Sequence, residues 1–148
     1  VPNNVFSATS TLNDDYTHAG MFSGCTSLVN VPSSLPNGVT SSYSCRGSYQ
    51  YMFAGCTSLV TAPSLNSTNY RSPCSYTGMF SGCTSLTSVT CLATAAHSSA
   101  DDISISDWLK GVPQNGTFYK NSRTARYYWV TGEDGIPSGW TVVDINLG

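Results

Sequence analysis

Six cysteines and two histidines are the side chains in this sequence that could hold a metal ion or act as nucleophiles. A zinc site needs cysteine and histidine clustered at short spacing. No Cys-x-x-Cys pair occurs, and His18 and His97 lie far apart, so the sequence predicts no metal site. A Cys–His nucleophile pair is disfavoured too, because most of the cysteines recur at positions typical of a buried core, where burial raises the thiol pKa.

Three pairs of adjacent carboxylates are the other groups that could do chemistry: Asp14-Asp15, Asp101-Asp102 and Glu133-Asp134. Glycoside hydrolysis uses two carboxylates that face each other across the scissile bond. Adjacent residues in a loop do not usually face each other in this way, so the pairs are more typical of solvated turns or of a calcium-binding loop. The sequence therefore predicts a non-enzymatic protein with no catalytic residue and no cofactor.

One block of eight residues recurs three times, and we call it the octapeptide. It reads Met-Phe-Ser-Gly-Cys-Thr-Ser-Leu at 21–28 and 79–86, and has Ala in place of the first Ser at 52–59. The copies start 31 and 27 residues apart. A repeat of about thirty residues cannot bury its apolar face alone, so neighbouring copies must stack. Val1-Pro2 matches Val31-Pro32 one repeat earlier, which predicts that the chain begins inside a truncated earlier copy.

Each copy contains residues suited to a core, a corner and a strand. The phenylalanine is expected to fill the interior, and the glycine two residues later to form a tight corner with positive φ. The Leu-x-x-Val/Ala pattern then places two apolar groups on a short strand, which Pro32 and Pro63 are expected to end because proline lacks an amide donor. The residues concerned are Phe22, Phe53 and Phe80, and Gly24, Gly55 and Gly82.

The repeat also bears on disulfide formation. Cys25, Cys56 and Cys83 occupy one equivalent position, and three equivalent members cannot all pair with one another. Together with Cys91 they are predicted to be free, buried thiols that behave as small hydrophobic side chains. If a disulfide exists, Cys45 and Cys74 are the best candidates, since they precede consecutive octapeptides.

The octapeptide followed by Val-Pro resembles the BspA-like (Treponema-type) leucine-rich repeats of bacterial surface proteins. Three stretches of the tail, at 89–94, 107–112 and 135–142, resemble segments that close such arrays in Bacteroides-type proteins. The resemblance covers the chain from about residue 16 to residue 144. It implies a solenoid at the cell surface that serves adhesion or recognition.

The predicted fold is a short right-handed leucine-rich-repeat-like solenoid of α+β or β class, with one short strand per repeat. We place the solenoid at residues 1–94 and a mixed C-terminal cap at 95–148. In the cap, Ser106 or Asp107 is expected to begin a short helix containing Trp108 and Leu109. Strands are expected at 118–119, 127–130 and 140–145. Such a cap would cover the apolar surface and strand edges at the end of the array.

Composition restricts the partners and the location. Charged residues make up 9 % of the chain, against about 25 % in an ordinary domain. The net charge is −2 and no basic patch occurs, which disfavours nucleic acid. No run of 18 apolar residues exists, so membrane insertion by this segment is not expected. A surface rich in hydroxyls and amides is typical of a bacterial cell-surface or secreted protein.

These observations favour a binding or adhesion module that recognises a surface protein or a glycan of the host or of bacteria. The predicted ligand-binding residues form a concave stripe beside the inward-facing Val and Ala, and they are Asn30, Thr61, Ser88 and Thr90. The alternatives are a structural spacer and a carbohydrate-binding or carbohydrate-active module. The aromatics at 119, 127–129 and 140 could stack on sugars, but they are more typical of the core of the cap.

Overall fold

A computed structural model describes residues 16, 18–35, 47–65, 76–92, 105–123 and 129–148 of the chain. Three strands form there: β1 (Ser88–Cys91), β2 (Thr117–Asn121) and β3 (Thr141–Ile145). They pair in parallel in the order β1-β2-β3, with Ser88 opposite Thr117 and Thr117 opposite Thr141. The sheet is flat and open.

The predicted solenoid of α+β or β class was wrong. The described ranges contain no helix, and their one sheet consists of three short strands that do not close. Left-handed residues such as Gly78 (φ 59°) and Gly82 (φ 75°) interrupt a right-handed helix, because they have positive φ. The short segment between them therefore forms turns. The expected corner glycines are confirmed, because Gly24 and Gly55 have φ of 75° and 73°.

The expectation of one strand per repeat was also wrong. Within the described ranges, the third octapeptide copy alone is followed by a regular strand, β1. The first two copies form isolated parallel bridges, Ser34 to Ser64 and Thr61 to Ser88. Pro32 and Pro63 stand where β1 has Thr90, and each removes an amide donor. Pairing resumes after them, so the prolines interrupt the ladder without ending it.

The three octapeptide copies lie side by side in register. The amide N–H of each phenylalanine donates to a carbonyl of the following copy: Phe22 to Met52 and Phe53 to Met79, each at 2.9 Å. The corner glycines repeat this contact, with Gly55 donating to Ser81 at 2.7 Å. Backbone polar groups are thus paired between copies, as burial requires.

Two rows of rings form the core of this arrangement. Phe53 stacks on Phe22 at 5.3 Å and on Phe80 at 5.6 Å between ring centroids, and we call these three rings the phenylalanine row. A second row contains Tyr49 and Tyr76, whose centroids lie 5.9 Å apart. Phe53 and Phe80 are fully buried, as expected from the repeat, while Phe22 at the end of the row is half-buried.

Residues 105–111 continue the same backbone pattern although the octapeptide is absent there. The N–H of Phe80 donates to the carbonyl of Trp108 at 2.9 Å, and that of Gly82 to the carbonyl of Lys110 at 2.7 Å. The helix expected here was wrong, because Asp107 is left-handed (φ 54°) and the segment forms turns. The predicted boundary between 94 and 95 lies outside the described residues.

The loop 129–136 covers these turns. The ring of Trp129 stacks on the buried Trp108 at 5.5 Å, and the indole N–H of Trp108 donates to the carbonyl of Gly135 at 2.9 Å. The Asp134 carboxylate accepts from the N–H of Asp107 at 3.0 Å, where a neighbouring copy would supply a carbonyl. The strand expected at 127–130 does not form at 129–130, and residues 127 and 128 lie outside the described ranges.

The remaining strand predictions are confirmed. Residues 118–119 lie within β2, and the expectation for 140–145 matches β3 from Thr141 onward. Trp140 is buried, and its indole N–H donates to the carbonyl of Pro113 at 2.8 Å. Val1-Pro2, proposed as the remnant of an earlier copy, lies outside the described residues.

The cysteines follow the row of copies. Cys56 and Cys83 are buried free thiols, and each donates to the carbonyl of the preceding copy's phenylalanine, at 3.1 and 3.0 Å. Cys91 is buried as well, but Cys25 is exposed, so its predicted burial was wrong. Cys25 belongs to the first copy, and no earlier copy packs against it within the described residues. Cys45 and Cys74 lie outside the described residues, so their disulfide stays a prediction.

Thiol labelling of the folded protein is expected to divide these cysteines. Cys25 should react quickly with iodoacetamide, while Cys56, Cys83 and Cys91 should react after unfolding, because burial shields their thiols. Burial also raises the pKa of the Cys56 thiol. Burial raises the pKa of Cys83 to about 12, from an ordinary value of 9.0. Peptide mapping by mass spectrometry checks this, and fast labelling of Cys83 would contradict the burial.

The same shift of Cys83 predicts a pH dependence of stability. The folded thiol stays neutral while the unfolded one ionises above pH 9.0, so the stabilisation is complete below that pH. It is lost as the pH rises from 9.0 to about 12. Urea titrations of the wild-type chain and of Cys83→Ala across this range measure the effect. The alanine variant should be less sensitive to pH.

Candidate functional site

The predicted stripe residues lie at the solvent side of the strand segments. Thr61 is exposed and bridges to Ser88, and Ser88 and Thr90 alternate along β1 with the buried Val89 and Cys91. Asn30, in the first copy, is exposed. The sheet beside these residues is flat, so the concave setting expected for the stripe was wrong.

The register of the sheet extends this surface into β2 and β3. Residues opposite one another in parallel strands share a face. Ser88 therefore shares its face with Thr117 and Thr141, and Thr90 shares the same face with Tyr119 and Val143. We call the surface formed by these residues the outer face; it comprises Thr61, Ser88, Thr90, Thr117, Tyr119, Thr141 and Val143.

The outer face has no charged side chain among these residues. Lys120 and Asp144 belong to the same strands but point to the other side, where they form an ion pair. What remains is a set of hydroxyls around the half-buried ring of Tyr119. Such a surface can donate and accept hydrogen bonds and can stack on an apolar ring face.

Sequence reasoning missed Thr117 and Thr141 and placed Tyr119 with the core of the cap. The strands that contain them follow segments without the octapeptide, so the repeat gave no register for them. One usable signal was present. The spacings from Ser88 to Thr117 and from Thr117 to Thr141 are 29 and 24 residues, close to those between octapeptides.

The reactive side chains that the structure describes do not converge. His18 is buried, and desolvation lowers its pKa, which favours the neutral ring. Asp134 is engaged by the backbone of Asp107, while Glu133 is exposed beside it. Among the described residues, no three His, Cys, Asp or Glu side chains come close enough to hold a metal ion. His97 and the carboxylate pairs at 14–15 and 101–102 lie outside the described ranges.

Comparison of this chain with protein-family models, curated proteins and solved structures returned no match. The resemblance to BspA-like leucine-rich repeats therefore stays a prediction that depends on the octapeptide and the tail stretches. In the part of the chain that the structure describes, no helix is long and apolar enough to cross a membrane.

Proposed function

We propose that this chain is a non-enzymatic binding module of a bacterial cell-surface or secreted protein, and that it recognises a protein or glycan ligand through the outer face. The observation that carries the proposal is the continuous set of uncharged hydroxyls around Tyr119. Aromatic rings and hydroxyls are common in binding surfaces, because a ring supplies contact area while the hydroxyls fix orientation. The low charge of the chain and the octapeptide support the extracellular location.

The rigidity of the outer face also supports recognition. Its strands rest on a core in which Val89 and Phe118 are fully buried. Ser88 to Cys91 and Thr117 to Asn121 are fixed relative to one another by the ladder. A preorganised surface loses little conformational entropy on binding, which favours affinity.

A binding screen with matched variants tests the proposal. The labelled chain is applied to a glycan array, and its binding to a panel of extracellular proteins is measured by surface plasmon resonance. Tyr119→Ala and Thr61→Lys should each weaken a genuine ligand by about tenfold or more, equivalent to about 1.4 kcal/mol. Thr84→Lys is the control, because Thr84 is exposed in the third octapeptide and lies outside this surface.

The outcomes separate the possible roles. Glycan binding lost in Tyr119→Ala identifies a carbohydrate-binding module, and protein binding lost in Thr61→Lys identifies a protein receptor. Binding that persists in both variants, or the absence of binding across both panels, contradicts recognition by the outer face. The second result would favour a structural spacer.

A further inference from the structure

At the C-terminal end of the row of turns, two amide donors have no acceptor among the described residues. In the octapeptide copies, the N–H groups of the phenylalanine and of the corner glycine donate to carbonyls of the following copy or, in the third copy, of the turns at 105–111. Leu109 and Gly111 occupy these two positions after the third copy. Within the described ranges, no carbonyl accepts from the N–H of either residue. By contrast, the N–H of Asp107 is satisfied by Asp134.

A groove of about 530 Å³ lies at this place. On one side, Gly111 packs against Gly82: the Cα of Gly82 lies 3.7 Å from the position that a Cβ of Gly111 would take. Since Leu109 and Gly111 are equivalent to Phe80 and Gly82, whose N–H groups point away from the preceding copy, we infer that their N–H groups point to the other side, where the groove lies. It lies between the turn 109–115 and the loop 132–139, and its polar side chains are Lys110, Gln114, Asn115, Glu133 and Ser138.

The charges at the groove argue against an acidic ligand. Lys110 is paired with Asp107 at 3.1 Å, and Glu133 and Asp134 lie close enough to help raise its pKa. Three carboxylates thus surround one ammonium group. An anion that approached the two N–H donors would meet net negative charge, whereas a neutral or basic group would not.

We propose that this groove binds the backbone of a neutral or basic peptide segment, whose carbonyls two residues apart accept hydrogen bonds from the N–H groups of Leu109 and Gly111. The chain itself shows this pairing one step earlier, where Phe80 and Gly82 donate to the carbonyls of Trp108 and Lys110. The two-residue spacing of backbone donors matches a peptide, which repeats its carbonyls regularly. Main-chain hydrogen bonds of this kind supply affinity in other modes of peptide recognition. No residue that lines the groove belongs to the outer face.

Nuclear magnetic resonance of the whole chain tests the proposal with three short peptides, each acetylated and amidated. One consists of serine, glycine and glutamine, and the other two carry added lysines or added aspartates. We expect a Kd of about 1 mM for a few hydrogen bonds. With peptide at about that concentration, the neutral and basic peptides should shift the amide signals of Leu109 and Gly111. Hydrogen exchange of these two amides should slow by about twofold at a peptide concentration equal to Kd, where half of the sites are filled.

Two variants make the test specific. Ser138→Trp places a large ring at the exposed rim of the groove and should abolish the response, while Thr84→Lys should leave it unchanged. Glu133→Lys should remove the preference for the basic over the acidic peptide. The unchanged amide signals elsewhere in each variant report that the fold is intact.

Several results would overturn the proposal: no shift at Leu109 and Gly111 with any peptide, an equal response in Ser138→Trp, or tightest binding of the acidic peptide. Tyr119→Ala should not alter peptide binding here. Failure of the outer-face screen therefore leaves this test unaffected, and failure of the peptide test leaves the screen unaffected.

Discussion

Replacing Phe53 by alanine is expected to lower the free energy of unfolding by about 3–5 kcal/mol, the usual cost of removing a buried aromatic side chain. Phe53 is fully buried and is the middle ring of the phenylalanine row, so it stacks on Phe22 and on Phe80. Its removal leaves a cavity that both neighbours line. Urea denaturation followed by circular dichroism measures the loss, and the melting temperature should fall by about 2–4 °C for each kcal/mol.

Phe22→Ala is the matched control, because the side chain and the repeat position are the same. Phe22 is half-buried, and among the described residues its ring stacks on Phe53 alone. Its loss should cost less than half as much. Equal effects of the two substitutions would contradict the arrangement in which Phe53 lies between two copies.

Trp108→Ala is expected to have an effect of similar size, about 3–5 kcal/mol. Its ring is fully buried and lies between Tyr76, at 6.4 Å, and Trp129, at 5.5 Å. It thus joins the octapeptide copies to the C-terminal loop. The variant also leaves the carbonyl of Gly135 without the indole donor. Urea denaturation with tryptophan fluorescence from the remaining indoles measures the change.

Trp108→Phe separates packing from the hydrogen bond. It retains an aromatic ring but removes the indole N–H, so we expect a loss of about 1–3 kcal/mol. Tyr119→Ala, on the outer face, should cost less than either change at Trp108, because that ring is half-exposed. A larger loss in Tyr119→Ala than in Trp108→Ala would contradict the assignment of Trp108 to the core and Tyr119 to the surface.

The packing of the octapeptides could be predicted from the sequence because their identity forces equivalent residues into equivalent environments. Phe53 and Cys83 are buried for this reason, and Gly55 and Gly82 are left-handed as expected. The exposure of Cys25 could not be predicted from the same pattern. It depends on whether another copy lies beside the first, which the residues of one copy do not encode.

The fold class could not be predicted because it depends on backbone angles that residue types specify weakly. Tyr51 and Asp107 adopt positive φ although neither is glycine, and these residues stand where other copies have Gly20 and Gly78. Asp107 before Trp108 therefore looks like the start of a helix when it belongs to a turn. The prolines gave a usable signal, since β1 forms in the copy that has Thr90 in their place.

The candidate site was predicted in part. Thr61, Ser88 and Thr90 lie on one face because alternation along a strand follows from the apolar pattern of the repeat. Tyr119 and Thr117 joined them through pairing of β1 with β2, a contact between segments with no shared motif. The N–H groups of Leu109 and Gly111, which have no carbonyl acceptor among the described residues, could be identified only from backbone geometry, which residue types do not specify.

Amide hydrogen exchange measured residue by residue tests most directly whether the copies lie in register. The N–H groups of Phe53, Gly55, Phe80 and Gly82 should be strongly protected, because the first two donate to carbonyls of the third copy and the last two to the carbonyls of Trp108 and Lys110. The equivalent N–H groups of Leu109 and Gly111 should exchange much faster in the absence of peptide. Equal protection at all six positions, or fast exchange at Phe53 and Phe80, would contradict the arrangement on which the outer face and the groove both depend.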